Sequence, residues 1–88
     1  MWTVWIKRKQ LRKLEELPLE IQLKFLALKT DLQRSGPVQV SWRNYSKLSD
    51  TRHHCHLSYH FVACWQVLSD HELTMEVYYV GSRENAPY

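Results

Sequence analysis

Two early segments with apolar residues at helical spacing, followed by short β-branched and aromatic segments between turn residues, predict an α+β chain. The expected architecture is two N-terminal helices packed on a mainly antiparallel sheet of four or five strands. Length supplies the third constraint: 88 residues make a domain that buries roughly 60 to 65% of its unfolded surface and has room for one core. Residues 1–88 are therefore read as a single domain. At 44% apolar and 24% charged, with two Gly and three Pro, the composition is that of an ordinary globular protein, and disorder is not expected.

Trp2 to Ile6 is aromatic and β-branched and reads as a short first strand. Leu11, Leu14 and Leu17 recur at helical spacing within Lys7 to Leu17, giving a first helix with a basic outer face. Pro18 separates it from a longer helix over Leu19 to Arg34, because Pro fits a first helical turn. The alternation Leu19-Glu20-Ile21-Gln22-Leu23 would also suit a strand, but the length and the helix formers that follow favour helix. Ile21, Phe25, Leu28 and Leu32 form one apolar stripe, and Leu19, Leu23 and Leu26 a second on nearly the opposite side. Such a helix needs two partners, the sheet and either the first helix or another chain.

Ser35-Gly36-Pro37 is a helix stop with a C-cap glycine. Val38 to Tyr45 reads as loop or edge segment, and Lys47-Leu48 as the beginning of a strand. The remainder predicts strands over His53 to Tyr59, Phe61 to Leu68 and Glu72 to Val80, with turns near Tyr59-His60 and Ser69-Asp70-His71. The middle strand has no polar alternation until Gln66, the pattern of a central strand covered on both faces. In the last strand Leu73, Met75, Val77 and Tyr79 are expected to face one way.

The net charge of +3 is modest, but Lys7, Arg8, Lys9, Arg12 and Lys13 crowd the first helix, where charges in the first turn oppose the macrodipole. Such a patch suits a phosphate backbone or an acidic protein partner; a solvated helix face is the plainer alternative. Cys55 and Cys64 sit among apolar residues, where free cysteine behaves as a small core hydrophobe. Met1 to Ile6 is too short for a signal h-region, so a reducing cytoplasm is expected and a disulfide framework is not. No run approaches the ~18 apolar residues of a membrane span, and no membrane association is expected.

The densest chemistry is His53-His54-Cys55-His56. Strand alternation puts His54 and His56 on one face and Cys55 and Leu57 on the other. Imidazole suits either proton role near neutral pH, and two rings ~7 Å apart on one face can bracket a phosphate. Exposed sheet histidines without a role are the alternative. Metal binding is not expected, because alternation splits these side chains between two faces and the zinc spacings with two close ligand pairs are absent. Arg83, just past Gly81 at a strand end, suits bidentate contact with a phosphate, or an exposed salt bridge. The exposed one of Tyr78 and Tyr79, like Trp42, is a candidate for stacking on a base, with packing against the core the favoured alternative.

The order strand, helix, helix, then a meander of strands, together with Cys55-His56-Leu57, Val62-Ala63-Cys64-Trp65 and Glu76-Val77-Tyr78-Tyr79-Val80-Gly81-Ser82-Arg83-Glu84-Asn85-Ala86-Pro87-Tyr88, resembles the RelE/ParE superfamily of bacterial type II toxin-antitoxin toxins. The resemblance covers nearly the whole chain and is closest to the HigB-like RelE branch. It implies a RelE-like fold and a ribosome-dependent mRNA endonuclease (mRNA interferase). Such enzymes cut mRNA in the ribosomal A site by attack of a ribose 2′-OH on the adjacent phosphate, with no metal or other cofactor. By position, His54 and His56 look like the family's alternating basic pair, Arg83 like the arginine after the last strand, and Tyr88 like the C-terminal tyrosine. The family's central-strand arginine falls near Val62 here, so that phosphate contact has to come from elsewhere.

On the same resemblance, Lys7, Arg8, Lys9, Arg12, Lys13, Lys47 and Arg52 are the candidate RNA-binding cations. The implied partners are a cognate antitoxin protein, the ribosome and mRNA, and operator DNA only through the antitoxin. Leu19, Leu23 and Leu26, the basic cluster and the exposed aromatics exceed what a domain of this size usefully shows to water, which suits an antitoxin that covers them. Two other activities fit the same fold: ParE-like inhibition of DNA gyrase, which needs no catalytic residues, and a degenerate toxin that only binds its antitoxin.

Overall fold

In the computed structural model, which describes residues 1–88, the chain runs β1 (Thr3–Ile6), α1 (Arg8–Glu16), α2 (Leu19–Ser35), β2 (Ser46–Lys47), β3 (Arg52–His56), β4 (Phe61–Ser69) and β5 (Thr74–Ser82), then a short 3-10 turn at Arg83–Asn85. One five-stranded sheet has the order β1-β5-β4-β3-β2. β1 pairs with β5 in parallel, and the other pairings are antiparallel. The protein is thus α+β with two helices and a mixed sheet. No helix is long and apolar enough to cross a membrane.

α2 behaves as its spacing predicts. Ile21, Phe25, Leu28 and Leu32 are buried against Cys55, Leu57, Ala63, Trp65, Met75, Val77 and Val80 of the sheet. Leu19, Leu23 and Leu26 on the other stripe are exposed. The helix ends at Gly36, whose φ is 89° and whose N–H donates to the Leu32 carbonyl at 3.0 Å. A Cβ there would lie 2.8 Å from the Trp2 indole nitrogen, so glycine is required both by the left-handed backbone and by close packing. The next residue is held too: the Trp65 indole N–H donates to the Pro37 carbonyl at 2.9 Å.

α1 departs from its predicted pattern. It buries Gln10 and Leu14, while Leu11 is exposed and Leu17 becomes the half-buried C-cap. The cause is the short β1, which ends at Ile6 opposite Val77 and leaves the rest of the β5 edge unpaired. The Gln10 side-chain carbonyl takes over, accepting the Val80 N–H at 3.0 Å, so a long-range backbone donor outranks local apolar spacing.

The last strand is also corrected. Cys64 pairs with Tyr79 and Trp65 with Val77, which leaves Tyr78 as an extra residue in β5. This bulge switches the side-chain alternation: Met75, Val77 and Val80 join the helix-facing core, whereas Tyr79 joins Val62 and Cys64 on the opposite face. Leu73 is outside the strand altogether, in the preceding turn with a left-handed φ of 54°. β3 stops at His56 rather than Tyr59, because the N–H groups of Leu57 and Ser58 both turn to the Phe61 carbonyl at 2.8 and 3.2 Å. The Val38 to Tyr45 loop is pinned to α2 by the Trp42 indole N–H, which donates to the Asp31 carboxylate at 2.8 Å. Trp42 is therefore half-buried and packed on the core, not a free stacking surface.

Candidate nucleic-acid site on the open face of the sheet

Both helices cover one face of the sheet, and the other carries a smaller cluster of Val62, Cys64 and Tyr79, with Tyr78 and Ala86 packed against it. The C-terminal segment reaches this face because the chain doubles back after β5. Tyr79 Oη donates to the Ser82 carbonyl at 2.6 Å. Gly81 allows that approach, since a Cβ there would lie 3.0 Å from the same oxygen. The Arg83 N–H then donates to the His60 carbonyl at 2.8 Å, which anchors the turn from which Tyr88 swings back over β3.

The ring of Tyr88 lies 4.5 Å from that of His54 between centroids, and His54 lies 5.7 Å from His56. Alternation works as expected here: His54 and His56 share the open face, while Cys55 and Leu57 face the helices. Ser46 Oγ sits 3.0 Å from Nδ1 of His54, which fixes that ring and leaves Nε2 for other work. His53 has gone to the helix side, where Nδ1 is 2.6 Å from the Tyr45 hydroxyl and the ring stacks on Trp65 at 6.0 Å. No three His, Cys, Asp or Glu side chains come together as a metal-ligand set.

Burial pushes His54 below its ordinary value. Burial also depresses His56, helped by the charges of His54, Arg83 and Arg43. Burial raises Tyr88 and pushes Tyr78 up to about 12. At neutral pH the imidazoles are thus mainly neutral and able to accept a proton. His53 is depressed by burial and by Lys47, so all three histidines bind fewer protons folded than unfolded as the pH falls below ~6.5. Their contribution to stability is complete above ~6.5 and is lost as the pH falls through the depressed folded values. The urea midpoint should drop on acidification from pH 7, and replacing His53 by Phe should flatten that drop. An unchanged slope in the variant would show that His53 is not buried neutral.

The predicted cations divide. Arg52 lies 5.2 Å above the Tyr78 ring and Lys13 lies 4.8 Å above Tyr79, so both reach the open face. Arg83 lies 4.9 Å above Tyr59 and acts on both His56 and Tyr88. Lys47 is exposed opposite His53 in the β2–β3 register. On α1, Lys9 is one turn before Lys13 on the same flank. Arg8 and Arg12 lie on the side away from buried Gln10 and Leu14, and Lys7 is the N-cap. The structure brings His54, His56, Arg83 and Tyr88 together; it does not gather the whole basic cluster around them.

Two residues near the site carried no sequence signal. Ser46 positions His54, and Arg43 accepts the His56 N–H on its carbonyl at 2.8 Å while its charge acts on the imidazole. Val62 is fully buried and adds no charge to this face. His56 also lines a cleft of about 370 Å³ with Lys24, Ser41, Trp42, Arg43 and Ser58 among its walls, whereas His54 does not reach it. No protein-family model, curated protein or solved structure matches the chain.

Proposed function

We propose that this protein is a RelE-like toxin: a metal-independent, ribosome-dependent mRNA endonuclease that blocks translation and is held in check by a cognate antitoxin. The observation that carries this reading is the return of Tyr88 onto His54, at 4.5 Å between ring centroids, with His56 a further 5.7 Å from His54 and beside the charges of Arg83 and Arg43. Cleavage by an internal 2′-OH needs a base for that hydroxyl, an acid for the departing 5′ oxygen, and positive charge around the phosphorane. One neutral imidazole accepts the 2′-OH proton, and the other, in the minor fraction of molecules in which it carries a proton, returns one to the 5′ oxygen. Arg83 and Arg43 carry the phosphorane charge, and the Tyr88 ring orients the pair or the adjacent base. The RNA supplies its own nucleophile, so no cofactor enters the reaction.

So small a site depends on the ribosome to hold the 2′-OH in line with the phosphate. Inducing the protein alone should arrest growth and leave mRNA cut within translated frames, whereas purified protein should cut naked RNA poorly. Intact mRNA with accumulating DNA breaks would overturn the endonuclease reading in favour of gyrase poisoning. Intact mRNA and DNA, with tight binding of a neighbouring gene product, would leave only an antitoxin-binding role. The exposed Leu19, Leu23 and Leu26, next to basic α1, suit an antitoxin that covers them with an acidic amphipathic helix. Operator DNA would be bound through that antitoxin.

A further inference from the structure

We propose that the cleft between the β3–β4 turn and the end of β5, lined by Tyr59, His60, Phe61, Ser82, Arg83 and Glu84, binds a guanine base of single-stranded RNA, with Tyr59 as the stacking surface and the Glu84 carboxylate reading its Watson–Crick edge. This rests on the endonuclease reading and names the nucleotide that the same site would prefer. The cleft has a volume of about 380 Å³, within the range of small-ligand pockets. It shares Arg83 with the proposed phosphate site, so the base it takes belongs to a nucleotide next to the scissile phosphate.

Tyr59 is the first reason to expect a base. It is 58% exposed and joins neither core cluster. Its ring is nevertheless held, with the Arg83 guanidinium 4.9 Å above it and the His60 ring edge-on at 4.9 Å. The Arg83 N–H bond to the His60 carbonyl ties the two walls of the cleft together. Half-buried Phe61 adds apolar surface. An exposed, immobilised aromatic beside a cation is the arrangement that stacks unpaired bases.

Glu84 decides the rest. A carboxylate in the cleft repels a phosphate, so the cleft suits a base better than a second stretch of backbone. An ionised carboxylate only accepts hydrogen bonds. Guanine alone presents two adjacent donors on its Watson–Crick edge, N1–H and the N2 amino group. Adenine and cytosine offer one donor beside an acceptor, and uracil one donor flanked by two acceptors. The Ser82 hydroxyl on the same wall can donate to guanine O6.

The test uses the full chain and a short 2′-O-methyl RNA, which cannot be cleaved, with one guanine placed beside the central phosphate. Binding is followed by fluorescence anisotropy at low salt. Making that nucleotide abasic should weaken wild-type binding about 5- to 150-fold. Tyr59→Ala should lose most of the difference between the guanine and abasic RNAs, keeping only what the Glu84 and Ser82 contacts supply, and Tyr59→Trp should keep it. Glu84→Gln, whose amide matches adenine, should shift the preference from guanine towards adenine. If Tyr59→Ala and wild type respond alike to base removal, while Arg83→Ala weakens binding of both RNAs, the cleft is not the base site although the RNA site stands. If the wild-type protein does not bind the RNA at all, the RNA reading falls and this inference with it.

Discussion

Alanine at His56 is expected to lower cleavage of ribosome-bound mRNA by about 10²- to 10⁴-fold, the usual worth of a positioned proton-transfer group. Alanine at Arg83 should cost about 10²- to 10³-fold, as for other groups that stabilise charge developing in a transition state. The two are not interchangeable. His56 is depressed by burial and by neighbouring positive charge, which makes it a base at neutral pH, whereas the Arg83 guanidinium offers hydrogen-bond donors and positive charge to the phosphorane. Loss in His56→Ala should therefore remove the acid limb of the pH–rate profile, whereas Arg83→Ala should lower the rate on the plateau and keep an acid limb, moved to higher pH because the Arg83 charge no longer depresses His56. His56 is buried, so His56→Gln is the companion variant: it keeps the bulk and a hydrogen-bonding end but cannot shuttle a proton. The double variant should fall short of the product of the single losses, because both groups serve one transition state. Wild-type cleavage by His56→Gln and Arg83→Ala, at equal expression and equal melting temperature, would sink the site assignment. Tyr88→Phe should be milder, since the ring packing on His54 is retained.

The parts of this fold that were legible in the sequence are those set by local periodicity. The His54–His56 pairing, the Ile21-Phe25-Leu28-Leu32 stripe and the stop at Gly36 each follow from a repeat of two or 3.6 residues, or from a backbone that only glycine adopts easily. What was not legible depended on contacts distant in sequence. Gln10 is buried because β1 ends early and leaves the Val80 N–H without a strand partner. Tyr79 faces the open side because one extra residue, Tyr78, enters β5 and inverts the alternation, which reading residue by residue cannot detect. Trp42 is drawn inward by Asp31, eleven residues away. Arg43 sits in a loop and Ser46 in a two-residue strand, neither with a sequence pattern, and only the pairing of β2 with β3 brings them to His56 and His54.

The largest loss of stability is expected at Trp65. Its side chain is fully buried at the centre of β4, stacked on His53 at 6.0 Å and Tyr45 at 6.2 Å, with its N–H on the Pro37 carbonyl at 2.9 Å. Trp65→Ala removes the ring and leaves a cavity, at a cost of about 3–5 kcal/mol, against a total of roughly 5–15 kcal/mol for a domain of ordinary stability. Trp65→Phe separates the two contributions: it keeps an aromatic ring in the stack but leaves the Pro37 carbonyl without its donor, at about 1–3 kcal/mol. The ring faces the helices, but β4 also carries Val62 and Cys64 on the face beneath the proposed site. Cleavage should therefore fail only as the fold fails: Trp65→Phe should cleave normally at low temperature and lose activity where its melting curve begins. Urea unfolding of both variants gives the costs directly. If Trp65→Ala unfolds within about 1 kcal/mol of wild type, a loss no greater than that of an average single substitution, the helix-facing core is not organised around this residue.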